Sequence, residues 1–182
     1  MSYLLDAVNS LLSTIGQTPI ATLEGGQSPD VLAAVDLIKR TNSAVQSCGW
    51  KFNTEKTYTL NFDINGKVSL PTGVLDWKQE DLSSYPDLVI RSGYLYNQVD
   101  KTFIFTTPVD ITVIWLVEFE DDPTPVRNYV IAKAAATFQE RFMGSTLATQ
   151  TLGRDLATAR SEFMRWENEA GGYNMLNGLG NF

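Results

Sequence analysis

The hydrophobic period of this chain changes twice, from helical to strand-like and back, and that limits what it can build. Leu4, Leu5, Val8, Leu11, Leu12 and Ile15 recur at helical spacing, and Gly16 offers a left-handed stop. After a connection holding Pro19, Gly25 and Gly26, Ser28 is placed to cap a second helix with Pro29 at its first position. Its stripe is Val31, Val35, Ile38, Val45 and Cys48, closed by Gly49, so Cys48 reads as a small core hydrophobe.

From about residue 52 the period is two. Tyr58, Leu60 and Phe62 alternate with polar residues, and Asn65-Gly66 is a hairpin signal before Val68 and Leu70. Short strands are expected around 74–78, 88–91, 94–97 and 102–105. Ile111, Val113, Trp115, Val117 and Phe119 predict one strand over 111–119. Helical spacing then returns. Thr124 caps a helix that starts at Pro125, carries Val126, Val130, Ala134, Phe138 and Phe142, and stops at Gly144. Leu152, Leu156, Ala159, Phe163, Trp166 and Ala170 mark a last helix, broken by Gly171-Gly172. The segment after it holds Tyr173, Met175, Leu176, Leu179 and Phe182, too apolar for a solvated tail, and is expected to dock.

The expected fold class is therefore α+β, mainly helical. A four-helix bundle-like unit comes from residues 1–51 and 123–182, with a docking tail over 171–182. A small antiparallel β region, 52–122, is inserted between the second and third helices. A chain of 182 residues buries about 70% of its unfolded surface, enough for a sizeable core without staples.

Composition narrows the chemistry. There is no histidine, the commonest metal ligand and the usual base near neutral pH, and one cysteine forms neither an internal disulfide nor a thiolate zinc site. No nucleophile elbow, phosphate-binding loop or dinucleotide fingerprint is present. No cofactor and no catalytic residue is therefore assigned. The N-terminus lacks a basic region and no apolar run approaches 18 residues, so folding in a cytoplasm without a membrane span is expected.

The net charge is −7. Residues 1–51 hold three basic and four acidic side chains, 52–122 five and twelve, and 123–182 six and five, so the acidic excess falls in the middle segment. Clustered lysines and arginines of a DNA binder are missing. The densest acids are Glu118, Glu120, Asp121 and Asp122. Their spacing matches no calcium loop, and acids before a helix start are favoured by its dipole. Arg141, between Phe138 and Phe142, suits an ion pair at a boundary within or between subunits. Trp50 and Phe52 read as core rather than base-stacking residues.

Several blocks, taken in order, resemble one family. They are Ala7–Pro19 with Thr22-Leu23-Glu24, then 45–53, then Arg91-Ser92-Gly93-Tyr94-Leu95-Tyr96. Phe119-Glu120 with Pro123, 127–131, Ala134-Ala135, Phe138, Arg141-Phe142, Gly144 and 173–176 complete the set. Together they are similar to the tail tubular protein A family of short-tailed bacteriophages. Residues 61–88 fit less well, Phe62-Asp63 standing where a Pro-Asp pair is expected. The resemblance implies a non-enzymatic virion protein, a head–tail adaptor. Twelve copies would form a homo-oligomeric ring between the portal and the nozzle (tail tubular protein B) and help anchor the tail fibres. The genome would pass through without specific binding.

On that reading, Tyr173, Met175, Leu176, Leu179, Phe182 and Arg141 are candidates for an oligomer or portal interface. Glu118, Glu120, Asp121 and Asp122 are candidates for lining the channel or facing the nozzle. Two alternatives stay open. One is a tail-associated carbohydrate-active enzyme using those four acids. The other is a glycan-binding module using Trp77, Tyr94 and Tyr96, which requires exposed rings.

Overall fold

Local capping chemistry sets the helix starts. In the computed structural model, which describes residues 2–80, 85, 87–144 and 147–170, α1 spans Tyr3–Thr14 behind Ser2, whose Oγ accepts the Leu5 N–H at 3.3 Å. Gly16, at φ +74°, turns the chain out of the helix. The side chain of Asn9 then brackets Ile20, donating to its carbonyl at 3.0 Å and accepting its N–H at 2.8 Å. Helix α2 spans Pro29–Gln46, with Ser28 Oγ accepting from Val31 as expected for the cap.

The end of α2 differs from expectation. The helix stops at Gln46, so Cys48 leaves the helical face and is exposed rather than a core residue. A turn through Gly49 follows, at φ +74°. That backbone conformation favours glycine, and a Cβ there would stand 2.7 Å from Cδ1 of Ile114, which would have to shift.

The chain divides into two compact units, one formed by 1–45 and 117–182 and the other by 46–116. The second unit is the β region. It holds β1 (Thr54–Leu60), β2 (Val74–Gln79), β3 (Leu88–Arg91), β4 (Tyr94–Asn97) and β5 (Val109–Trp115). The order β1-β5-β2 makes an antiparallel three-stranded sheet, and β3-β4 is a separate hairpin. Ser92 and Gly93, both at positive φ, form its two-residue turn, whose twist matches the strands. Leu60, Val68, Leu88, Leu95, Phe105, Val109, Ile111 and Val113 form the core of this unit.

Both edge strands of the larger sheet carry a register shift, in β1 between Glu55 and Tyr58 and in β2 between Val74 and Asp76. Thr57 sits in the first shift at φ +56°, costly for a β-branched residue. Its N–H and hydroxyl both donate to the Glu80 carboxylate, at 2.9 and 3.0 Å. Shifted edges discourage strand addition from other chains.

Three strand expectations are corrected. Asn65-Gly66 does form a tight turn, with Asp63 Oδ1 accepting from Asn65 and Lys67, but the chain beyond it does not pair with β1. Ser69 bridges Tyr94 instead, and β1 pairs with β5, about fifty residues away. The segment 102–105 makes only a single bridge, Thr102 to Asn97, although Phe105 is buried. The strand predicted over 111–119 ends at Trp115. Val117 and Phe119 continue the alternation but belong to the other unit.

In that helical unit, α3 spans Thr124–Met143 and α4 spans Leu147–Ala170. α3 is packed by both α1 and α4. Its N-cap is Pro123 rather than Thr124, without a side-chain cap, and Gly144 closes it at φ +68°. The unit boundaries also move the charge. Residues 46–116 carry six basic and eight acidic side chains, a net of −2, so most of the excess sits in the helical unit. The four acids of 117–122, together with Lys51, account for the difference from residues 52–122.

Candidate functional site

The acidic run before α3 is built into the start of α1. An α-helix begins with backbone N–H groups that lack intrahelical partners. Here they are met from far along the sequence. The Glu120 carboxylate accepts from the Tyr3 N–H at 2.9 Å, the Leu4 N–H at 3.0 Å and the Ser2 hydroxyl at 2.8 Å. Burial acts to raise its pKa, but these three hydrogen bonds outweigh it and hold the carboxyl below its ordinary value. The negative charge also faces the positive end of the α1 dipole.

Arg127, in the first turn of α3, closes the junction. It is only 8% exposed. Its guanidinium donates to the Glu120 carbonyl at 2.9 Å and to Thr124 Oγ1 at 3.4 Å, and lies 3.6 Å from the centre of the Tyr3 ring. One cation thus connects α1, the 117–122 segment and α3. Sequence reasoning missed it, although Arg127 stands at helical spacing with Val130 and Ala134 on the buried face.

Asp122 has the opposite fate to Glu120. It is buried, and burial pushes its carboxyl up to about 7. Arg127 pulls the other way, while Asp121 and Glu118 add repulsion. Between about pH 4 and pH 7 the unfolded chain therefore binds fewer protons here than the native one, and stability falls as pH rises. Asp122→Asn is expected to remove that slope. Relative to wild type it should gain about 2 kcal/mol more at pH 8 than at pH 5, as read by urea unfolding.

The remaining sequence candidates are dispersed. Of the four acids, Glu118, Glu120 and Asp121 are exposed, Glu120 being engaged at the start of α1, and Asp122 is buried. Arg141 is exposed in the last turn of α3, where its charge suits the helix C-terminus. Tyr173, Met175, Leu176, Leu179 and Phe182 lie outside the described residues. Trp50 and Phe52 are half-buried.

The rings considered for glycans are half-buried too. Trp77 packs on the β core. Lys67 Nζ stands 5.1 Å from the Tyr94 ring centre, and the Arg91 guanidinium 4.1 Å from that of Tyr96. A sugar would have to displace those cations from the faces they cover.

An open groove of about 590 Å³ runs between α1, α3 and α4, lined in part by Ile131, Ala132, Ala135 and Ala159. Its α1 hydroxyls are internally satisfied. Ser10 donates to the Asp6 carbonyl, Ser13 to that of Ser10 and Thr14 to that of Leu11. Asp155 and Glu162 also line the groove. Among the described residues, no group of three or more His, Cys, Asp or Glu side chains is placed to hold a metal ion. No described helix is long and apolar enough to cross a membrane.

Tail tubular protein A of Klebsiella phage KP34 is 24% identical over 182 aligned positions, covering 88% of this chain and 94% of that protein. The family described as Tail tubular protein matches residues 5–173, a span that includes both units and the Glu120–Arg127 junction. This chain belongs to the tail tubular protein family.

Proposed function

We propose that this protein is the head–tail adaptor of a short-tailed phage. Twelve copies form a ring in the virion tail, between the portal and the nozzle, and the ring helps to hold the tail fibres. Assembly takes place in the host cytoplasm. The observation that carries this reading is the extent of the family match. It spans residues 5–173, through helices and inserted strands alike, rather than one transferable module.

The physical features are compatible with that role. A heterologous contact repeated around a closed rotation makes a ring, and it needs two different exposed faces on each chain. The α1–α3–α4 groove and the outward side of β3–β4 provide surfaces of different character. A net charge of −7 per copy gives a strongly acidic ring, whose wall repels the DNA phosphates and lets the genome slide.

The test is the mass of the purified protein alone and with its portal, by native mass spectrometry. A complex with twelve copies on the portal is expected. A chain that remains monomeric with the portal, and is missing from purified virions, would overturn the reading.

A further inference from the structure

We propose that the outward face of the β3–β4 hairpin receives the exposed carboxylates Glu118 and Asp121 of a second copy of this chain. The inference rests on the ring reading and names the contact that would close it.

The hairpin register sets the face. Arg91 stands opposite Tyr94 and Val89 opposite Tyr96, so these four share one side, while Leu88 and Leu95 turn to the core. Phe103 meets the Tyr96 ring at 4.8 Å in an edge contact, and Lys67 Nζ lies 6.0 Å from the Phe103 centre and 5.1 Å from that of Tyr94. Arg91 covers Tyr96 and donates to Gln98 Oε1 at 3.3 Å. Two cations are thus held in place by three aromatic rings before any partner arrives, which reduces the ordering cost of binding.

Neither cation has an ion pair among the described residues. Asp63, whose charge Lys67 feels, already accepts two backbone N–H groups of its own turn. Val89 shares this face, and Val99 is exposed close by in sequence. Arginine, tyrosine and apolar neighbours together resemble the centre of a protein interface. A DNA site is much more positive, whereas this unit is net acidic.

Glu118 and Asp121 supply the complement. Both are exposed and, among the described residues, neither has an ion pair. The Asp121 N–H donates to the Glu118 carbonyl at 2.8 Å, so the two acids end one tight turn, with Cα atoms within about 7 Å. Tyr94 and Tyr96, which carry the cations, are also about 7 Å apart along β4. Two neighbouring carboxylates thus face two cations that neighbouring rings hold.

Charge exchange tests the pairing. Lys67→Glu with Arg91→Glu is expected to lower incorporation into tails at least tenfold while the melting temperature stays within a few degrees. Adding Glu118→Lys and Asp121→Lys to the same chain should restore most of it. In a Cys48→Ser background, Lys67→Cys with Asp121→Cys should give a disulfide-linked ladder in assembled tails, which also serves if the reversed chain folds poorly. Normal incorporation of a folded reversed chain, no rescue, or no ladder overturns the pairing and leaves the ring standing. Reduced duplex DNA binding as the only effect of reversal also overturns it, in favour of nucleic acid. A wild-type chain that is monomeric in tails removes the ring reading itself.

Discussion

Arg127→Ala should cost about 3 kcal/mol or more at pH 8, because it leaves a carboxylate in a junction built around one cation. The guanidinium is buried, hydrogen-bonded to the Glu120 carbonyl and stacked on Tyr3. Its removal takes a positive charge from beside Asp122, whose carboxyl already stands near 7. The loss should be smaller at pH 5, where Asp122 can stay protonated. Arg127→Lys should also destabilise, because an ammonium lacks the planar fork that donates to two oxygens and stacks on a ring. Combining Arg127→Ala with Asp122→Asn should cost less than the separate losses together, since the residues share one electrostatic environment. Urea unfolding at both pH values measures all of this. A loss below about 1 kcal/mol at pH 8 would mean that the junction does not hold the helical unit together.

Phe163→Ala should be comparably severe, at about 3–5 kcal/mol. Phe163 is fully buried in α4, stacked on Tyr129 of α3 at 5.5 Å and followed by Trp166 at 6.4 Å. Removing the ring leaves a cavity at the contact where α4 meets α3. Amide exchange in α4 should then rise more than in α1, and Phe163→Leu should recover most of the stability because it keeps much of the volume. Equal loss of protection in both helices would instead mark the helical unit as one cooperative block.

Several helix starts and stops were legible because their causes are local. Ser28 before Pro29 and Gly16 and Gly144 at positive φ act within one turn of the positions they punctuate. The turn at Asn65-Gly66 was legible for the same reason, but its pairing was not. The partner of β1 is β5, and nothing in a two-residue signal chooses among later strands. Cys48 shows the limit of periodicity. Its spacing fits the α2 stripe, but the helix ends two residues earlier and the spacing loses its meaning.

The alternation through Phe119 failed in a related way. Apolar residues continue at period two past Trp115, yet they serve the core of the other unit, because alternation records burial and not what buries it. That one difference moved four acids, and with them most of the net charge, from the β region to the helical unit.

The sequence by itself determined the α+β class and the order of the helices and most strands, which follow from short-range spacing. Tertiary structure alone decided what each acid of the run before α3 does. Glu120 caps a helix 116 residues earlier in the chain with its pKa lowered, and Asp122 is buried with its pKa raised to about 7. Two residues apart, they behave oppositely because a carboxylate responds to its solvent exposure and to the donors and charges around it, and distant parts of the chain bring those together only on folding.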